Sequence, residues 1–205
     1  MSEFDDLAES WDEDPGRVER ARAIAAGIRG RCELSAQTAV LEVGAGTGAI
    51  GRALARDAGS VVLLDPSAGM ARVARRRADE DGLTRVRVVH GGLDEVAGEI
   101  YDLLIAAMVL HHMDDTGEAL GRFADLLSDG GQLAIADLDT DTNGQYHGEA
   151  FAGHHGFDRD ELGRALSRAG FCDLEWSSAC QVTKTVADGQ ERVFSVFLVT
   201  ARKGG

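Results

Sequence analysis

Cysteine, N-terminal positive charge and long apolar runs are all scarce in this chain, and each shortage closes off a class of protein. The three cysteines, Cys32, Cys172 and Cys180, are odd in number and show no CxxC spacing. They read as reduced thiols of a cytosolic protein rather than as a disulfide framework. Residues 1–16 carry seven acids and no base, with no apolar stretch behind them, so an ordinary secretory signal is excluded. The longest apolar run, residues 103–110, is too short to span a bilayer. Basic residues are outnumbered 21 to 35, for a net charge of −14. Such a surface repels phosphate backbones and anionic lipid heads, which argues against a nucleic-acid or membrane partner. No internal repeat, low-complexity tract or long linker divides the chain. The expectation is one cytoplasmic domain over residues 1–205, acting as a monomer or homodimer.

What is present is the alternation of an α/β protein. With 44% hydrophobic and 27% charged residues, 205 positions suffice for one core of ordinary size. Residues 17–29 repeat apolar side chains at three- and four-residue spacing, which predicts an amphipathic helix ending near Gly30. Short β-type runs follow at residues 40–43, 60–65, 86–89, 101–107 and 132–137. Helical segments are expected at 49–56, 68–80, 117–127 and 158–169. Strand–helix alternation repeated five times is the pattern of a parallel sheet covered on both faces. Two last strands, at 172–182 and 192–202, flank an Asp188-Gly189 hairpin signal. Trp11, alone among acids, reads as a plug docking the N-terminal arm, or as a flap over a ligand site.

The stretch Val-Leu-Glu-Val-Gly-Ala-Gly-Thr-Gly at residues 40–48 is a buried strand running into a glycine turn. Glycine at alternate positions permits positive φ and leaves no Cβ between backbone and ligand, the arrangement that brings amides against a nucleotide. Which nucleotide is open at this point. Gly46-Thr-Gly-Ala-Ile-Gly51 matches the dinucleotide fingerprint, and Asp65 sits where a ribose-binding acid belongs. An NAD-dependent oxidoreductase is therefore one reading of the loop.

The wider chain points elsewhere. Glu42-x-Gly44-x-Gly46-x-Gly48 resembles motif I of the class I S-adenosylmethionine-dependent methyltransferases. The resemblance continues through Leu64-Asp65-Pro-Ser-Ala-Gly-Met70, Tyr101-Asp102 and Val109-Leu-His-His-Met-Asp114. It then runs through residues 126–137 to Ala169-Gly-Phe171. Trp11-Asp-x-x-Pro-x-Arg17 and Gly153-His-His-Gly-Phe-Asp-Arg159 look like a set of small stand-alone bacterial and archaeal members. The family implies a Rossmann-like, seven-stranded, mostly parallel sheet with an antiparallel C-terminal hairpin and helices on both faces. Its cofactor is S-adenosyl-L-methionine, and residues 1–30 would form an arm and helix capping the cofactor site.

Roles follow position by position. Gly44, Ala45 and Gly46 would admit the methionine part, and Glu42 would lie near its ammonium group or be satisfied by the loop's own amides. Asp65 would accept from both ribose hydroxyls, and Met70 would pack on adenine, with Pro66 and Ala106 beside these positions. Where the family usually places Gly-Asp after the third strand, this chain has Gly91-Gly92. Asp94, or backbone groups of Gly92 and Leu93, would then read the base. Arg17 would reach the cofactor carboxylate, and Trp11 would close the arm over it.

Methyl transfer from a sulfonium needs an in-line nucleophile, excluded water and, for a weak nucleophile, a base. Histidines titrate in the working range. His154 is the first expectation for the base and His111 the second; His112 reads better as a packing residue. His111, His112, Asp137, His154 and His155 lack metal-ligand spacing, so no metal is expected. With no inserted lid and no Asn/Asp-Pro-Pro-Tyr/Phe motif after the fourth strand, a small acceptor methylated at oxygen, nitrogen or sulfur is expected. A non-catalytic protein that binds the same cofactor is the alternative.

Overall fold

Strand β1 (Ala39–Val43) lies third in a seven-stranded sheet ordered β3-β2-β1-β4-β5-β7-β6 in the computed structural model, which describes residues 3–148 and 151–205. The other strands are β2 (Ser60–Asp65), β3 (Val86–His90), β4 (Tyr101–Ala107), β5 (Leu127–Leu138), β6 (Phe171–Thr185) and β7 (Glu191–Lys203). Strands β1 to β5 pair in parallel, and β7 inserts antiparallel between β5 and β6. The architecture is the Rossmann-like one expected. β5 starts five residues earlier than its apolar run, because the turn at 128–131 is absorbed into the strand with Gly130 at φ 72°. β6 and β7 meet through a five-residue connection in which Gly189 takes φ 81°.

The helices are α1 (Glu3–Leu7), α2 (Pro15–Arg29), α3 (Ala49–Leu54), α4 (Ala68–Glu80), α5 (Thr116–Asp125) and α6 (Arg159–Arg168). Each of α2, α4, α5 and α6 starts on a side-chain cap, from Asp14, Ser67, Asp115 and Asp158. These oxygens satisfy amides the first turn leaves unpaired. No helix among the described residues is long and apolar enough to cross a membrane.

Two-residue alternation divides the strands between two cores. Leu41, Leu104 and Ile135 face α5 and α6, packing with Leu120, Phe123 and Leu162. Val40, Leu103 and Ile105 face the other way, with Ile24 and Ile28 of α2 and Leu54 of α3. Side chains buried this completely each contribute roughly 1.5–3 kcal/mol. The chain runs β1-β2-β3 outward on one side, then returns to lay β4 and β5 on the other. The connections leaving β1 and β4 therefore diverge, which opens a crevice at their C-terminal ends.

The N-terminal arm docks on α4. Ala8, Met70 and Val73 form a third buried cluster, with Phe4 and Trp11 packed on it. Asp5 accepts from the Ser67 hydroxyl at 2.6 Å and the Gly69 amide at 2.9 Å, adding a second carboxylate-type cap to α4. Glu9 pairs with Arg72 and Arg76. A Cβ on Gly69 would stand 2.7 Å from the Asp5 carbonyl oxygen. Gly69→Ala should therefore dislodge residues 3–14 while improving the helix itself. The expected outcome is faster protease cleavage within the arm at nearly unchanged Tm; equal cleavage rates would show the contact to be yielding.

Candidate functional site

The glycine turn between β1 and α3 takes the unusual backbone its sequence promises. Gly44, Gly46 and Gly48 adopt φ of 65°, 55° and 75°, a region only glycine enters without strain. They differ in surroundings. A Cβ on Gly44 would fall 2.3 Å from Val109 Cγ2, and one on Gly48 would fall 2.5 Å from Leu63 Cδ1. A Cβ on Gly46 would meet nothing within 4 Å, so this glycine faces open space. Ala45 ties the turn to β2 by donating to the Leu64 carbonyl at 3.0 Å.

Asp65 closes β2 beside the turn. One carboxylate oxygen accepts from the Gly46 amide at 2.7 Å and the other from the Ser67 amide at 2.8 Å. Each oxygen keeps a lone pair for a further donor. Burial pushes the carboxyl upward from its ordinary range, and the two amides oppose that shift. Glu42 is also buried, and its partner is the Gly51 amide in the first turn of α3, at 2.8 Å. This is the alternative in which the acid is satisfied by the loop's own amides. A Cβ on Gly51 would sit 2.6 Å from the Glu42 carboxylate, so a larger residue there would have to displace it.

The remaining expected cofactor positions spread around this turn. Met70 is buried in the arm–α4 cluster, and the Pro66 carbonyl contacts His90 Nε2 at 3.2 Å. Ala106 is fully buried, level with Val43 on one side and Ile135 on the other. Leu93 is half-buried in a 3-10 turn, Leu93–Val96. Asp94 in the same turn is exposed and ion-paired to Arg122. Arg17 lies 3.8 Å from the ring centre of Trp11 and pairs with Asp14. Trp11 packs with Phe4, and Thr47 of the glycine turn donates to Asp12 at 2.8 Å. The arm thus touches the glycine turn and the cap of α4 at once.

The histidines gather at the C-terminal edge of β4 and β5. Met108 leaves β4 with a positive φ of 54°, strained for a side-chain-bearing residue, and donates to the Ala136 carbonyl at 2.7 Å. The chain then turns through Leu110–His112. His111 is 1% exposed and Asp137 is 0% exposed. Their contact, His111 Nδ1 to Asp137 Oδ1, is 2.6 Å. Asp137 also accepts from the amides of His111 at 3.3 Å and Leu138 at 2.8 Å. Three donors on one buried carboxylate fix the ring's orientation. His111 Nε2 has no hydrogen-bond partner among the described residues.

His154 is placed differently. Its Nε2 reaches the Met113 carbonyl at 3.1 Å and the Thr116 hydroxyl at 3.4 Å, and its amide donates to the His111 carbonyl at 2.8 Å. It fastens the segment after β5 to the segment after β4. That later segment is clasped at its ends by a two-bond Asp139–Arg159 pair, at 2.7 and 2.8 Å. Burial with the His111 charge lowers the His112 pKa to about 4, and burial with neighbouring positive groups lowers His147 to about 3. No group of three or more His, Cys, Asp or Glu residues among those described has metal-holding geometry. The Asp137 role escaped the sequence reading, whose signal was one acid ending an otherwise apolar strand. Tyr146, held by Arg20 at 3.3 Å, was missed outright.

Comparison with known proteins adds an independent line. A family model described as a methyltransferase domain matches residues 41–133. The ubiquinone biosynthesis O-methyltransferase of Azorhizobium caulinodans is 34% identical over 101 residues, covering 48% of this chain and 40% of the relative. An uncharacterized methyltransferase of Geobacillus kaustophilus is 31% identical over 147 residues, covering 66% of each. The match spans 40–55% of the length of the first curated relatives, about half. Among solved structures, one neighbour is the putative methyltransferase complexed with the Trm112 methyltransferase activator of Haloferax volcanii. It superposes with a TM-score of 0.80 at 19% identity, covering 100% of this chain and 99% of that one, and shows the shared fold.

Glu42 yields a pH signature. Burial raises its pKa from 4.5 to about 8 in the folded chain. The native state then keeps a proton that the unfolded state releases, so this residue makes stability fall as pH rises from about 4.5 to about 8. Glu42→Gln should flatten that portion of the Tm–pH curve. An unchanged slope between pH 5 and 8 would count against a protonated Glu42.

Proposed function

The chain belongs to the class I S-adenosylmethionine-dependent methyltransferases, and from that membership we propose that it transfers the methyl group of S-adenosyl-L-methionine to a heteroatom of a small-molecule acceptor, with His111 as general base. The observation that carries the proposal is the buried His111–Asp137 pair at the edge of β4 and β5. That edge is one van der Waals layer from the glycine turn, because Val109, two residues before His111, fills the space above Gly44.

The residues present fit the cofactor. Gly46 opens onto free space, so no side chain would stand between its backbone and a ligand. Asp65, with a lone pair left on each oxygen, would receive the two ribose hydroxyls. Gly92 and Leu93, rather than the solvent-facing Asp94, would meet the adenine edge. When bound, the cofactor supplies a methyl group on a positively charged sulfur, a strong leaving group.

The chain's own part is orientation and proton transfer. Asp137 would accept a hydrogen bond from His111 Nδ1–H, which would leave Nε2 as the lone-pair nitrogen to take a proton. That nitrogen takes the acceptor's proton as the nucleophile engages, and Asp137 then steadies the charged ring. Such a base is worth about 10²–10⁴-fold in rate. The proposal prefers His111 to His154, whose Nε2 is engaged with Met113 and Thr116. His154 instead positions His111 through the backbone bond between them.

Calorimetry with S-adenosylhomocysteine should show binding to the wild-type chain and none to Asp65→Ala, whereas NAD should not bind. Binding of NAD alone would overturn the cofactor assignment. Release of S-adenosylhomocysteine should be measured with acceptors accepted by the wild type. His111→Ala should lower kcat about 10²-fold or more, with cofactor affinity within about twofold. An unchanged kcat would remove His111 from the mechanism.

A further inference from the structure

Away from the glycine turn and the histidines, a groove of about 570 Å³ runs between α6 and the outermost strand, β6. Its floor is Leu174 and Trp176, half-buried side chains of β6, with Trp176 packed on Phe197 at 5.2 Å between ring centres. Its wall is one flank of α6, with Gly163, Arg164, Ser167 and Arg168. Gly163 sits inside the helix, where glycine is a poor helix former. Packing does not demand it: a Cβ there would stand 3.7 Å from Leu174 and 3.8 Å from Trp176, ordinary contact distances. What the missing side chain does is leave the two apolar residues of the floor uncovered.

The groove is basic on a chain of net charge −14. Arg164 and Arg168 are exposed, and among the described residues neither side chain has an ion pair or hydrogen bond. Arg159 is held by Asp139, and Asp160 is the single acid of the lining. Ser167 spends its hydroxyl on the Gly163 carbonyl at 3.0 Å. The outer side of the groove is the free edge of the sheet. Among the described residues β6 pairs with β7 alone, so one row of its backbone amides and carbonyls is open. Register shifts between Cys172 and Glu175 and between Ser178 and Cys180 interrupt that row. They leave residues 175–178, Trp176 among them, as a regular stretch beside the groove.

We propose that this edge and groove dock an extended acidic segment of a partner protein, which adds to β6 as an eighth strand and sets alternate carboxylates against Arg164 and Arg168. Arginines four apart on a helix stand about 6 Å apart along its axis. Alternate side chains of a strand stand about 6.6 Å apart, so an acid-x-acid spacing in an extended chain matches the pair. An apolar side chain two positions further on the same face would cover Trp176. Main-chain bonds to an open edge supply affinity, and the pockets beside it supply selectivity. The net charge does not forbid an acidic partner, because at physiological salt fields are screened beyond about 8 Å and the local arginines dominate. A second copy of the chain fits less well. Pairing β6 with β6 about a two-fold axis is isologous and would bring the arginine flanks of the two copies toward each other. Gly163, Arg164, Arg168 and Trp176 belong to neither the glycine turn nor the histidine edge, so the proposal stands apart from the methyl-transfer reading.

The test uses the full chain and the fluorescein-labelled, C-terminally amidated peptide Thr-Glu-Thr-Glu-Thr-Phe-Thr, read by fluorescence anisotropy. A counterpart has lysine in place of both glutamates. Two further isomers of the acidic peptide carry N-methyl groups on one or the other alternate set of backbone nitrogens, of which only one set can point at β6. The acidic peptide should bind about tenfold tighter than the lysine peptide, and one N-methyl isomer should lose about tenfold in affinity while the other keeps it. Arg164→Glu combined with Arg168→Glu should invert the preference between the acidic and lysine peptides. Arg164→Gln with Arg168→Gln should erase it, with Tm and S-adenosylhomocysteine affinity unchanged in both variants. Absence of binding by the acidic peptide, equal binding of the acidic and lysine peptides, equal binding of the two N-methyl isomers, or a preference unaltered in the variants would overturn the proposal. So would a wild-type dimer in sedimentation that the acidic peptide dissociates, since a second copy would then be the occupant.

Discussion

Everything at the site hangs on a contact in which one partner has no side chain. Gly44 stands so close to Val109 that a Cβ would overlap its methyl group at 2.3 Å. This approach lets the turn after β1 lie flat against the turn after β4, and those turns carry the two halves of the site. On one side are Gly46 and Asp65, built largely of backbone amides. On the other are Met108, with its positive φ, and His111. The reversal of strand order between β1 and β4 places the turns side by side, and the missing Cβ lets them touch. Any larger residue at position 44 would displace Val109, and His111 with it.

The arm obeys a different balance. Its acids face the arginines of α4, Glu9 to Arg72 and Arg76, and Asp12 to Arg77. The sequence makes those arginines a solvated helix face, and exposed pairs of this type contribute about 0–1 kcal/mol at most. What holds the arm is less visible in composition: Ala8 buried against Met70 and Val73, and Asp5 sharing the cap of α4 with Ser67. The dock is small. An arm held this way can come and go without disturbing the sheet.

The two halves of the site also differ in how far they could be read from residue order. The glycine turn is a local object. Gly44, Gly46 and Gly48 lie within five residues, Asp65 comes at the end of the next strand, and the strand–turn–helix context needs only hydrophobic patterning. The parallel sheet was legible for the same reason, since each of its strands carries its own apolar run, whereas the insertion of the terminal hairpin followed from the family resemblance. Boundaries slipped where glycine hid a strand, as at the start of β5. The short helix at Glu3–Leu7 was invisible because five mostly acidic residues carry no period.

The histidine half is a long-range object. His111 finds Asp137 across 26 positions, and His154 finds Met113 across 41. Nothing local tells one histidine from another: residues 111–112 and 154–155 are two His-His pairs, each in a loop at the same sheet edge. The sequence favours His154 for its glycine-flanked loop, yet a mobile-looking loop and an available nitrogen are separate properties. In the fold the loop is clasped by Asp139 and Arg159, and its histidine is consumed in tying it down. Availability is decided by what lies beneath the ring. Under His111 that is a buried carboxylate, which occupies Nδ1 and leaves Nε2 as the ring's other nitrogen. Roles at such an edge follow from hydrogen-bond saturation. A histidine whose partners are all supplied by the protein is a fastener, and in the proposed mechanism His111 is the one that serves as base.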